Sequence, residues 1–191
     1  MSAYLGIMGR MEIIECADAA EWDRWLVANH ERAGEVWVRI AKKGAARASV
    51  TLTEALDGAL CVGWIDSHRQ GVDAEHYLQR YSPRRVRSPW SAVNVAKAEA
   101  LIAAGKMRAS GLAAVEAARA DGRWAAAYPP QRSAETHPDL VAALAADPAA
   151  RVRFDALGRS ARYGFSLRVT KARTDAGRAT QVRRVLAELR S

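Results

Sequence analysis

The chain has 191 residues, 50% of them hydrophobic, enough for one well-cored domain or for a domain with a helical extension. Two cysteines, Cys16 and Cys61, exclude a disulfide framework, and no apolar run approaches the ~20 residues that cross a bilayer as a helix. The net charge is +8, with residues 1–35 net acidic and the remainder net basic, which suits an anionic partner, nucleic acid among them; the excess of arginine over lysine, with abundant alanine, equally fits a GC-rich coding bias.

The opening stretch to Trp22 lacks a basic start, a long apolar segment and a small-residue cleavage site, and so reads as cytoplasmic. Asp18 with Glu21 predicts a capped helix carrying Trp22, Trp25, Leu26 and Asn29 on one face, ended near Gly34. Val36 to Lys43 reads as a strand and 44–49 as a loop. Thr51 with Glu54 makes a second capping box, followed by an apolar stripe of Leu52, Ala55, Leu56, Ala59 and Leu60 that stops at Gly63.

Residues 64–83 predict two strands around a loop at 70–74. Alternation places Trp64, Asp66 and His68 on one face of the first, and Tyr77, Gln79 and Tyr81 on one face of the second. Ser88 is the expected N-cap, with Pro89 at N1, of a helix from about Trp90 to Ala104. Further helices are expected over 110–121, 138–146, 148–157 and from Thr174 to the end; 159–172 also reads as helix, although "YGFSLRV" has the composition of a strand. The fold class is therefore α+β: a small antiparallel sheet with helices over about 10–90, then a mostly helical part over about 91–191, as a single domain.

The stretch from Ser82 to Ser91, "SPRRVRSPWS", concentrates arginine beside a tryptophan without an acid. Free N–H groups at a helix start attract anions, guanidinium forks match carboxylate and phosphate, and an indole stacks on planar groups. The candidate ligand site is a cleft of Trp64, Asp66, Arg84, Arg85, Trp90, Ser91 and Asn94. The competing reading is a solvated basic loop in which Trp90 belongs to the core and Ser88 only caps a helix. Asp66, His68, Asp73 and His76 have the chemistry of a metal site or an acid–base pair, yet match no metal motif; polar residues at a hairpin also simply pin its turn, and a structural ion pair of Asp66 with the arginines is the reading preferred over metal or catalysis. No nucleophile, nucleotide-binding or helix-turn-helix signature is present, so no metal and no cofactor is expected, and no reaction is assigned.

In order, the chain carries "EWDRWLVANH", "VWVRIAKK", "EALDGALCVGWIDS", "YSPRRVRSPWSAVN", "LIAAGKM" and "GLAAVEAARADGRWAAAY". With a basic C-terminal helix, this set resembles the bacteriocin-protection, YdeI/OmpD-associated family over about 20–190. The resemblance implies a role in protection against bacteriocins or antimicrobial peptides and in envelope stress, with no established reaction or cofactor. The expectation is a binding protein for an anionic small molecule or peptide. The alternatives are a nucleic-acid-binding protein using Arg84, Arg85, Arg87 and the C-terminal helix, and an enzyme with Asp66 or His68 as general base. Oligomeric state is not legible.

Overall fold

The computed structural model describes residues 3–8 and 11–191, with side chains from Glu12 onward. Met1, Ser2, Gly9 and Arg10, part of the stretch read for a targeting segment, lie outside the described residues. The chain divides into two compact units, Met1–Ser88 with Asn94–Ala125, and Pro89–Val93 with Ala126–Ser191.

The first unit is built on a five-stranded sheet of β1 (Ala3–Met8), β2 (Met11–Glu15), β3 (Val36–Ala41), β4 (Trp64–Gly71) and β5 (His76–Pro83), in the order β1-β2-β3-β5-β4. The α+β class holds, but the sheet is mixed rather than antiparallel: β2 and β3 pair in parallel. The cause is α1 (Ala19–Asn29), which carries the chain from the end of β2 back to the start of β3, a connection that only a parallel pair needs. Strands β1 and β2 have no counterpart in the sequence reading.

Local sequence explains the helices around the sheet. The Asp18 side chain accepts from the Glu21 amide at 2.8 Å to start α1. Thr51 and Glu54 form the expected reciprocal capping box at the start of α2 (Leu52–Cys61). Gly63 closes α2 at φ +77°, a left-handed conformation that glycine adopts without a Cβ clash. Helices α3 (Ala92–Ala103) and α4 (Ala109–Ala120) follow.

Alternation along β3 sends Val36, Val38 and Ile40 into a core with Ile14, Trp22, Trp25, Leu26, Ala55, Ala59, Trp64 and Tyr81. Trp37 goes to the other face, where it clusters with Ile13 and Leu78. The main core is aromatic: Trp22 and Trp25 stack at 5.4 Å, Tyr81 lies tilted 5.4 Å from Trp22, and Trp64 meets Trp25 edge-on at 6.1 Å. The Trp22 indole N–H donates to the Ala55 carbonyl at 2.9 Å, so burial leaves that polar group satisfied.

The second unit is helical: α5 (Pro138–Ala145), α6 (Pro148–Ala156), α7 (Arg159–Thr170) and α8 (Asp175–Arg190). Pro138 and Pro148 stand at helix starts as expected, where a missing N–H costs nothing. Leu140, Leu144, Ala150, Phe154, Val169, Val182, Val185 and Leu189 form its core. Among the described residues no helix is long and apolar enough to cross a membrane.

One helix start differs from expectation. Helix α3 begins at Ala92, so Ser88 is not its N-cap and Pro89 is not at N1. The Tyr128 amide donates to the Trp90 carbonyl at 3.1 Å, and the Ala92 amide donates to the Tyr128 carbonyl at 2.9 Å. These two bonds hold Ser91 in an extended bridge to Tyr128 and consume an N–H that an early helical turn would have left open.

Candidate functional site

The hairpin of β4 and β5 arranges most of the expected polar residues, though not by simple alternation. Asp66 lies opposite Tyr81, whereas Arg69 lies opposite Gln79. Three steps on β4 therefore match two on β5, which is a β-bulge. The extra residue takes His68 out of the Asp66 face and brings Arg69 into it. Asp66, Arg69, Tyr77, Gln79 and Tyr81 share the face that also carries Trp64, while His68 is exposed to solvent. The bulge is held by Gln79, whose Nε2 donates to the His68 carbonyl at 3.2 Å and the Ser67 carbonyl at 3.4 Å.

The chemistry of this face is charged and partly dry. Gln79 is buried, and its Oε1 accepts from Arg69 Nε at 3.2 Å. The Arg69 guanidinium lies over the Tyr77 ring at 4.4 Å. The Tyr81 hydroxyl is buried and has no hydrogen-bond partner among the described residues; burial, and then the Asp66 charge, push its ionisation well above the ordinary range. Asp66 is half-buried, and burial raises its carboxyl above the usual carboxylate range, against the opposing pull of its own amide, Arg69 and Arg84.

The arginine loop is anchored to this hairpin by backbone. The Arg84 amide donates to the Gly63 carbonyl at 3.0 Å, and the Ser88 amide to the Arg85 carbonyl at 2.9 Å, which bends 85–88 into a turn. Arg84 is half-buried; Arg85 and Arg87 are exposed. Arg123, which the sequence reading placed only within a motif, is buried, donates from Nε to both Asp121 oxygens at 2.8 and 2.7 Å, and from Nη1 to the Ser88 carbonyl at 3.1 Å.

The seven expected site residues thus fall in different places. Trp64, Asp66, Arg84, Arg85 and Asn94 belong to the first unit, and Trp90 and Ser91 to the second. Trp64 is 1% exposed and its indole N–H donates to the His30 carbonyl at 3.2 Å, so it belongs to the core. Trp90 is likewise buried, Ser91 is half-buried in the bridge to Tyr128, and Asn94 is half-buried in the first turn of α3.

Asp73 and His76 serve the turn. Asp73 Oδ1 accepts from the amides of Glu75 (2.8 Å) and His76 (2.7 Å), and Oδ2 from Arg39 at 2.9 Å. Burial pushes the Asp73 carboxyl upward, but the donors from Glu75 and His76 prevail and bring it down to about 2. Among the described residues no group of three or more His, Cys, Asp or Glu is placed to hold a metal.

Residues 14–114, which contain the hairpin, the arginine loop and the main core, match the model of a domain of unknown function, DUF8412. The chain belongs to the DUF8412 family. Residues 133–191 match the model described as bacteriocin-protection, YdeI or OmpD-associated, so the resemblance seen in the sequence holds for the helical unit, over a shorter span than 20–190. The "GWID" and "SPRR" motifs lie in the DUF8412 portion. No curated protein and no solved structure matches the chain.

Proposed function

We propose that this DUF8412 chain is a binding protein that accepts an anionic group, a carboxylate or phosphate on a small molecule or peptide, at the β4–β5 face through Arg84 and Arg85. The observation that carries this reading is the half-buried Asp66 carboxyl, with both Arg69 and Arg84 close enough to act on its charge, beside buried Gln79 and Tyr81. The Arg69 and Arg84 charges together exceed the single charge of Asp66, and partial desolvation strengthens each charge–charge contact. Asp66 then selects for a ligand that also carries a hydroxyl or ammonium donor.

The match over 133–191 supports a cellular role in bacteriocin protection. The net charge of +8 disfavours direct capture of a cationic peptide and favours an acidic partner. Calorimetric titration of the chain with phosphate and with succinate tests the site. Saturable binding that weakens tenfold or more in R84Q/R85Q is expected; unchanged affinity in that variant overturns it. Saturable DNA or RNA binding at about 50 mM salt, lost in the same variant, would instead assign the arginines to nucleic acid.

The raised Asp66 carboxyl supports a second reading, an enzyme with Asp66 as general base. Turnover abolished in D66N with binding intact is its signature.

A further inference from the structure

The second unit contains a cavity of about 330 Å³ whose chemistry is independent of the β4–β5 face. One wall is a stripe of α7: Arg159, Arg162, Tyr163 and Ser166 recur at the spacing that puts side chains on one helical face. The facing wall is the segment before α5, with Gln131, Glu135 and Thr136. The two walls are fixed to each other. The Tyr163 hydroxyl donates to the Pro129 carbonyl at 3.0 Å, and Gln131 Nε2 to Ser160 Oγ at 2.8 Å. Ser166 Oγ donates to the Glu135 carbonyl at 3.3 Å and accepts from the His137 amide at 2.8 Å. The cavity is therefore shaped before any ligand arrives.

Its charge is not balanced by the unit itself. Arg151 pairs with Asp155, Arg168 with Glu188, Arg178 with Asp139 and Arg190 with Asp147. Arg159 and Arg162 make no ion pair among the described residues, although Glu135 lines the same cavity. Two guanidiniums one helical turn apart repel. An anion between them would turn that repulsion into two charge-assisted contacts. Arg159 is also the first residue of α7, whose N-cap Gly158 provides no side-chain acceptor, so the positive end of the helix adds to the same field.

We infer that this cavity is a second binding site, taking a small molecule with a phosphate or carboxylate held between Arg159 and Arg162. Glu135 and Thr136 face the remainder of the ligand, which suits hydroxyl or ammonium donors. The volume is at the lower end for small-molecule sites, which suits a compact ligand.

The test uses the full chain, ¹⁵N-labelled, titrated with inorganic phosphate, sodium acetate and sodium chloride at matched ionic strength. Saturable shifts of the Ser160 to Tyr163 amides with phosphate or acetate, but not chloride, are expected. They should weaken tenfold or more in R159Q/R162Q and persist in R84Q/R85Q. A response to phosphate alone assigns a phosphate ligand, and a response to acetate admits a carboxylate. Shifts that chloride reproduces, or that R159Q/R162Q leaves unchanged, overturn the inference. Both arginines are exposed, and unaltered amide signals from Leu140, Val169 and Val185 report that the variant has kept its core.

Discussion

Arg123 Nη1 donates to the carbonyl oxygen of Ser88 at 3.1 Å, and this bond links two sequence motifs that lie 35 residues apart. The arginine of "DGRW" holds the end of the "SPRRVRS" loop, while Arg84 at the loop's start is held by the Gly63 carbonyl of "GWID". The loop that presents Arg85 is thus fastened at both ends, by groups that are not themselves offered to a ligand.

Arg123→Met should therefore cost about 1–3 kcal/mol, because it leaves the Ser88 carbonyl without its donor, while exposed Asp121 loses a partner but keeps its water. Urea denaturation measures the stability change. Amide exchange at Ser88 should accelerate more than exchange in the α1–α2 core, and equal acceleration in both places would show that the arginine supports the whole unit rather than the loop.

Gly111 is a packing requirement. A Cβ there would lie 2.3 Å from the Cys61 carbonyl oxygen and 2.8 Å from its carbon, both backbone atoms that cannot swing aside. Gly111→Ala should destabilise by about 2–3 kcal/mol, as forced overpacking does. Gly164 in α7 has nothing within 4 Å of the same position, so Gly164→Ala should stabilise by about 0.5–1 kcal/mol through helix propensity alone. Thermal melts of the two variants should move in opposite directions.

Signals local to the chain were legible in the sequence. The capping pairs Asp18/Glu21 and Thr51/Glu54, the proline starts of α5 and α6, and the shared face of Tyr77, Gln79 and Tyr81 all depend on neighbours within a few residues. Non-local choices were not. The parallel pairing of β2 with β3 depends on where α1 returns the chain, and the late start of α3 on Tyr128, 36 residues beyond Ala92. The exchange of His68 for Arg69 on the Asp66 face comes from one inserted residue, and a bulge leaves no mark in an alternation pattern already polar on both faces.

Trp64 separates a wall residue from a foundation. It is buried against Trp25, and its N–H is satisfied by His30. Trp64→Phe removes that donor and leaves a void beside Trp25, so stability should fall by about 1–3 kcal/mol. Anion affinity of the folded fraction should stay within about twofold. A loss of affinity without a loss of stability would place the indole in the ligand site instead.

Asp66 and Asp73, near opposite ends of β4 and the turn beyond it, should respond to pH with opposite signs. Burial raises the Asp66 carboxyl above 3.8, so the folded chain holds that proton longer than the unfolded chain does. The stability it contributes is complete below 3.8 and lost as pH rises through the folded value. Asp66→Asn, which cannot ionise, should gain stability relative to the native chain across that window and keep the gain at pH 7. Asp73 is lowered from 3.8 to about 2, so its contribution is present above 3.8 and lost as pH falls toward about 2. Asp73→Asn should be less stable than the native chain at pH 7, with the difference closing in acid. Denaturation curves at a series of pH values give both slopes, and slopes of the same sign would remove the desolvated-carboxyl account of Asp66. The same proton bears on ligand binding. Protonating Asp66 removes a negative charge beside Arg84, so affinity for sulfate, which stays ionised throughout this range, should rise as pH falls through the Asp66 titration and be nearly flat in Asp66→Asn.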